Sequence, residues 1–226
     1  MACRWTLAIL AMVLCGSIAH AETIEIEATR DATLIEDPDG ALANGAGPAF
    51  FVGHTAQSVG GIRRAVIFFD VASAVPDGAI LEHVALTLHL SQNASSPSVV
   101  ELHPLLTDWS EGDSYSSGGH GGSAEPGDAT WIHTSFDDAF WVHDGGDFMG
   151  RASASREVDA AGFYTWKDTP HLLNDVRLWL YAPARNLGWI LIGDEVHPQS
   201  ATRFDSRESA TPDFRPLLTI VYRLPS

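Results

Sequence analysis

Four tryptophans occupy positions where a ligand would reach them if the surrounding chain is loop. Trp109 and Trp131 flank a glycine- and serine-rich stretch, and Trp141 and Trp166 lie in short apolar runs beside turns. The C–H faces of a sugar ring pack on an exposed aromatic plane, while nearby amides and carboxylates bond its hydroxyls. The four positions therefore predict a carbohydrate-binding surface. For each tryptophan, the alternative is an anchor of the hydrophobic core.

Two acidic residues suggest a site for a hard cation. Asp37 and Asp39 precede Gly40, as in half of an acidic metal-binding loop, and Ca²⁺ prefers oxygen ligands. The only two cysteines, Cys3 and Cys15, lie at the start of the chain, so no disulfide stabilises the rest. We therefore predict a structural calcium ion held by Asp37 and Asp39. No glutamate follows at EF-hand spacing, so the alternative is an ordinary Asp-Pro-Asp-Gly turn.

Motifs of the common hydrolases are absent from the sequence. The 10 histidines include no H-E-x-x-H pair or other zinc spacing, and no G-x-S-x-G turn positions a nucleophilic serine. Two carboxylates on one face can cleave glycosides, but with 29 acidic residues such a pair is expected by chance. We predict that the protein is not an enzyme.

The charge balance limits the possible partners. Lysine and arginine total 13 against 29 aspartates and glutamates, which gives a net charge of −16. We predict no nucleic-acid partner, because binding phosphates requires a basic face. The acidity is typical of a solvated, exported surface.

Residues 1–21 have the features of a secretory signal peptide. Arg4 supplies the positive charge, an apolar run follows up to Cys15, and Ala19-His20-Ala21 is a small-x-small cleavage site. The run is shorter than the roughly 20 residues that a transmembrane helix needs. We expect a secreted, extracellular or cell-surface protein without a transmembrane segment. Its mature chain, 22–226, is predicted to form one domain.

The elements that must position these residues are mostly strands. About ten short apolar or alternating runs lie between turn signals, and no βαβ alternation is present. This order predicts an all-β fold, an antiparallel β-sandwich of jelly-roll type. One amphipathic helix is expected at about 170–182, with Thr169 as its cap and Pro170 in its first turn. Its apolar stripe consists of Leu172, Val176 and Trp179.

Two further segments require an explanation. Residues 107–130 contain the glycine- and serine-rich loop, and long loops of this kind are either functional or mobile. A dense group of charges precedes the closing strand at 215–222. We interpret this group as an ionic clasp that determines how the sandwich closes. Its members are Arg203, Asp205, Arg207 and Glu208, and the expected partners are Arg63, Arg64 and Asp70.

A series of motifs resembles the DNRLRE-type domain, and the resemblance extends from about Thr23 to Tyr222. The motifs are, in order, Arg64-Ala-Val-Ile-Phe-Phe-Asp70, Asp108-Trp-Ser-Glu-Gly112, Gly162-Phe-Tyr-Thr-Trp166, Asn186-Leu-Gly-Trp-Ile190, Arg203-Phe-Asp-Ser-Arg-Glu208 and Arg215-Pro-Leu-Leu-Thr-Ile220. The resemblance implies an exported bacterial β-sandwich. It also implies similarity to non-catalytic carbohydrate-binding modules, alginate-binding ones among them, which often hold a structural Ca²⁺.

The sequence leaves three functions open. The first is an exported, non-catalytic domain that binds a polysaccharide or cell-surface glycan, or attaches to the cell surface. The second is a purely structural or adhesive protein of an envelope or matrix. The third, and least favoured, is a polysaccharide-degrading enzyme.

Overall fold

The computed structural model describes residues 20–94 and 96–225. The predicted signal peptide lies outside the described residues, apart from its last two positions. The strands are β1 Ala21–Glu27, β2 Arg30–Ile35, β3 Leu42–Ala43, β4 Ala49–His54, β5 Ile62–Phe68, β6 Ile80–Gln92, β7 Ser98–Pro104, β8 Gly122–Ser123, β9 His133–Ser135, β10 Ala139–Phe140, β11 Ala154–Val158, β12 Gly162–Lys167, β13 Trp189–Ile192, β14 Thr202–Asp205 and β15 Leu217–Arg223. The helices are α1 Val71–Ala74 and α2 Pro170–Tyr181, with 3₁₀ turns at Pro183–Arg185 and Pro212–Phe214.

Eleven of these strands form one antiparallel sheet that folds back on itself into two layers. The first layer contains β1, β15, β6, β12 and β14, and the second contains β2, β5, β13, β7 and β11. Strand β4 joins them, because residues 49–52 pair with β14 whereas Gly53 and His54 pair with β5. Gly53 has a φ of +111°, and a Cβ there would lie 2.8 Å from the Ser200 carbonyl oxygen. The fold is therefore the predicted antiparallel β-sandwich.

The main hydrophobic core lies between the two layers. Strand β6 alternates as the sequence predicts, with Val84, Leu86, Leu88 and Leu90 buried. These side chains meet residues of the second layer such as Ile67 and Trp189. Helix α2 covers the same core with Leu172, Val176 and Trp179, begins after the Thr169 cap and has Pro170 in its first turn. The predicted helix is confirmed.

The central strands of the second layer, β2, β5 and β13, are largely buried on both faces. A second apolar cluster covers its outer side and includes Leu34, Val66 and Ile190 from the strands. Trp109, Trp131 and Trp141, from the chain between β7 and β11, complete the cluster. A strand that is covered on both faces has a continuous apolar sequence rather than an alternating one. Residues 65–67 of β5 form such a run. The residues on either side of the glycine-rich loop thus form a packed third layer.

The described helices are short. Helix α2, with 12 residues, is the longest of them. None in the described part of the chain has the length and apolar character to cross a bilayer.

Candidate functional site

The four tryptophans assigned to ligand binding are core residues, which corrects that prediction. Trp109 is 2% exposed, Trp131 9%, Trp141 5% and Trp166 1%. Three of the indole N–H groups donate to backbone carbonyls, those of Leu187, Thr130 and Val100. Such bonds are the usual condition for burying a tryptophan. None of the four presents an open ring face to a sugar.

Asp37 and Asp39 form the turn that was the alternative to a calcium loop. The Asp37 carboxylate accepts from the Ala41 N–H at 2.6 Å, and the Gly40 N–H donates to the Asp37 carbonyl at 3.0 Å. Asp39 is exposed. Among the described residues, neither aspartate belongs to a group of three side chains able to hold a metal. The structure therefore has the predicted turn, and calcium at Asp37 and Asp39 stays a prediction.

Three carboxylates meet elsewhere, and we refer to Asp31, Glu111 and Glu208 as the carboxylate cluster. One oxygen from each lies within 4.8 Å of the others. Asp31 belongs to β2, Glu111 to the chain after β7, and Glu208 to the connection between β14 and β15. The cluster therefore joins three segments that are distant in sequence.

Arg207 organises the carboxylate cluster. Its guanidinium binds Glu111 through two hydrogen bonds, of 2.7 and 2.6 Å, and pairs with Glu208 at 2.9 Å. Its backbone N–H donates to Asp31 at 2.8 Å. Bidentate pairs of this kind are the strong class of ion pair. The expected clasp is thus present, but it closes on Asp31 and Glu111.

The partners expected for the clasp have other roles, which corrects that part of the prediction. Arg64 pairs with Glu195 at 2.7 Å, and Asp70 caps helix α1. Arg63 binds backbone carbonyls. Arg203, on the same segment as Arg207, reaches Asp205 only at 3.8 Å.

The carboxylate cluster carries more negative charge than Arg207 neutralises. Burial, together with the neighbouring Glu208 and Glu111 charges, raises the pKa of Asp31 well above its usual value. Burial also raises the pKa of Glu208, against the opposing effect of Arg207. Hydrogen bonding to Glu111 raises the pKa of Arg207. A cation of high charge density would relieve this repulsion.

The sequence resemblance implies a calcium ion, and the carboxylate cluster is a group of described side chains that could hold a metal ion. The Glu208 Oε2 atom is closed to water and has no hydrogen-bond partner among the described residues. A buried oxygen without a partner is rare in folded proteins, and a place for an ion is one physical reason for it. Ca²⁺ takes several carboxylate and carbonyl oxygens. Asp31, Glu111 and Glu208 would hold the ion, and the ion would tie β2 to the two connecting segments.

We expect added Ca²⁺ to stabilise the folded protein through this cluster. A ligand that binds only the native state at about 100 times its dissociation constant adds about 2.7 kcal/mol of stability. Thermal melts in EDTA and in CaCl₂ measure the gain, which Glu208→Gln should abolish. Asp37→Asn is the matched control and should retain it. Equal melting temperatures of the wild type in both buffers would exclude the ion. If only Asp37→Asn lost the gain in stability, the ion would be assigned to the Asp37–Asp39 turn instead.

Arg63 attaches the glycine-rich loop to the sandwich. The side chain is 1% exposed, and burial lowers its pKa to about 10, which leaves it charged at neutral pH. It donates to the carbonyl oxygens of Gly119, Gly60 and Ile62, and to the Gln57 side chain. The loop at 117–119 is therefore a fixed part of the surface.

Arg63→Met should release this loop. Methionine fills the volume but donates no hydrogen bond, so the carbonyls of Gly119 and Gly60 lose their partner at a cost of about 2–4 kcal/mol. Hydrogen–deuterium exchange should accelerate at 116–122 more than elsewhere. Arg156→Met, on an exposed position of β11, is the control and should change neither the stability nor the exchange rate at 116–122. Unchanged exchange in Arg63→Met would show that other contacts hold the loop.

A groove of about 410 Å³ opens beside this loop. It lies between the end of β4, the turn after β6, and the connection from β13 to β14. The buried ring of Phe51 packs beneath Gly119 in the floor of the groove. The polar side chains around it are amides, hydroxyls and one guanidinium: Gln92, Asn93, Gln199, Thr55, Ser117 and Arg203. Among the described residues that line it, none is an aspartate or glutamate.

Two residues of the groove have energetically unfavourable features, one an unpaired side-chain oxygen and the other a strained backbone angle. The Asn93 Oδ1 atom is closed to water and has no hydrogen-bond partner among the described residues. Gln199 has a φ of +68°, a left-handed conformation that non-glycine residues rarely adopt. Strained or unpaired groups that cluster in one concavity point to function. The groove is therefore the candidate binding site.

Sequence reasoning found the loop of this site but missed most of its side chains. The 107–130 segment stands out by its composition, and it supplies Ser117. Gln92 and Asn93 lie at the end of β6, a strand that the sequence predicts, so their position at a strand end could be predicted. Nothing in the local sequence indicated Gln199. The groove brings together none of the residues first assigned to ligand binding.

No protein-family model matches this chain, and no curated protein matches it either. Fold and groove together define an antiparallel β-sandwich with a concave polar site. The resemblance to the DNRLRE-type domain rests on its sequence motifs alone.

Proposed function

We propose that this protein is an exported, non-catalytic domain that binds a glycan in the amide-lined groove. Export follows from the predicted signal peptide at 1–21, and the DNRLRE-type motifs favour a role at the bacterial cell surface. The partner is a polysaccharide or cell-surface glycan, and a structural calcium ion held by the carboxylate cluster would stabilise the fold.

The lining of the groove is the observation that carries this proposal. Sugars present alternating hydroxyl donors and acceptors, and an amide offers both a donor and an acceptor. Gln92, Asn93 and Gln199 supply three amides around one concavity.

The same lining favours binding over hydrolysis. Most glycosidases place two carboxylic groups about the scissile bond, one as acid and one as base or nucleophile. The described lining holds none, and the carboxylate cluster is bound to Arg207. Incubation with polysaccharides should release no reducing ends.

Affinity electrophoresis on a glucan, a xylan, a mannan and a polyuronate tests the proposal. We expect retardation on at least one of the neutral polymers. Gln199→Gly should weaken that binding roughly tenfold, because it removes one amide from the groove while relieving the backbone strain. Asp137→Gly removes the side chain of another left-handed residue, φ +66°, outside the groove, and should bind normally. Free migration of the wild type on all four polymers would contradict the proposal.

A further inference from the structure

An aromatic platform lies on the outer face of the first layer, and we define it as His89, Phe163 and Phe214. His89 and Phe163 are direct cross-strand partners on β6 and β12. The His89 ring stacks on Phe214 with 3.7 Å between centroids and 11° between planes. Phe163 lies 4.8 Å from His89 and 5.8 Å from Phe214, and it is 56% exposed. The three rings are thus contiguous, with Phe163 exposed to solvent, Phe214 half-buried, and the His89 side chain only 14% exposed.

A buried carboxylate fixes the orientation of His89. The His89 Nδ1 atom lies 2.6 Å from an oxygen of Asp205, which is buried. A carboxylate on one ring nitrogen selects the tautomer with the proton on that nitrogen. The Nε2 atom, which makes no hydrogen bond within the described residues, is then an acceptor for an incoming hydroxyl. The platform therefore combines apolar ring faces with one oriented polar atom.

The platform continues directly into the groove. Asp205 contacts His89 on one side and the Arg203 guanidinium, at 3.8 Å, on the other. Arg203 also binds Ser91 and lines the groove. Along β6, His89 is three residues from Gln92 at the rim of the groove, roughly 10 Å at 3.3 Å per residue. One extended ligand would cover both features.

We propose that the platform is a second subsite, on which a further ring of the same glycan chain stacks. This inference rests on the proposed function and adds that the ligand is an oligosaccharide rather than a single sugar. The pairing of Arg203 with Asp205 leaves this strip without an excess of either charge, which suits an uncharged chain. The ring stacked on the platform places its C–H face on Phe163 and donates a hydroxyl to His89 Nε2.

Calorimetric titration of Phe163→Ala with oligosaccharides of increasing length tests this proposal. The ligands are the one- to six-unit fragments of whichever polymer retards the wild type. For the longest fragments we expect a loss of about tenfold in affinity, the effect of removing a central aromatic contact. The shortest fragment that binds the groove should bind as before. Phe140→Ala, which removes a phenylalanine that is 64% exposed and also contacts a histidine, is the matched control.

The outcomes separate this inference from the proposed function. A length-dependent loss in Phe163→Ala, with normal binding by Phe140→Ala, supports the second subsite. Equal affinities of Phe163→Ala and wild type at every length overturn it, while binding that depends on Gln199 still supports the groove. Absence of binding by the wild type overturns both.

Discussion

Trp166→Ala is expected to lower the free energy of unfolding by about 3–5 kcal/mol, the usual cost of deleting a buried tryptophan side chain. The Trp166 ring is 1% exposed and packs edge-on against Phe204 in the main core. Its N–H donates to the Val100 carbonyl of the opposite layer, which would lose that partner. Urea denaturation followed by circular dichroism measures the change. Sugar affinity per folded molecule should stay the same.

Phe163→Ala is the internal control for this prediction. Phe163 belongs to the same strand as Trp166 but faces solvent. Its replacement should change stability by less than about 0.5 kcal/mol, as for surface positions in general. If Trp166→Ala kept wild-type stability and lost sugar binding, the original assignment of Trp166 to a ligand site would be correct after all.

Arg207→Ala is expected to cost roughly 3 kcal/mol of stability in EDTA. Removing one partner of a buried ion pair costs about 3–5 kcal/mol, and the low end applies because the Arg207 side chain is 37% exposed. The substitution leaves Asp31, Glu111 and Glu208 close together without a compensating cation. Arg203→Ala is the matched control, since its carboxylate partner is 3.8 Å away. It should cost less than about 1 kcal/mol.

The loss in Arg207→Ala should shrink as the pH is lowered. The pKa values of Asp31 and Glu208 are raised in the folded state, so the folded protein binds more protons than the unfolded chain above the unfolded pKa values of about 4. Stability contributed by these groups therefore falls as pH rises from that point. Removing Arg207 raises both pKa values further and steepens the fall. Thermal melts of Arg207→Ala and wild type at pH 4.5 and pH 7 measure how the lost stability depends on pH. A loss that is the same at both pH values would contradict this prediction.

The local pattern of apolar residues was enough to predict most of the described fold. Strand β6 alternates because one of its faces packs in the core and the other meets solvent, and helix α2 repeats with the period of a single buried stripe. Strand β2 was missed. Its five residues 31–35 are all buried, among them Asp31 and Thr33, so it shows neither alternation nor a purely apolar run.

The sequence by itself determined the class of fold, the position of the helix and the acidic net charge, because each follows from composition or from neighbours along the chain. Only the tertiary structure decided which tryptophans are buried and which charges meet. Arg207 binds Asp31 across 176 positions and Glu111 across 96. Contacts of that separation depend on strand register and on how the loop layer packs, and no local pattern records either. The same holds for the groove, which is lined by four separate segments, and for the platform, which is built from three.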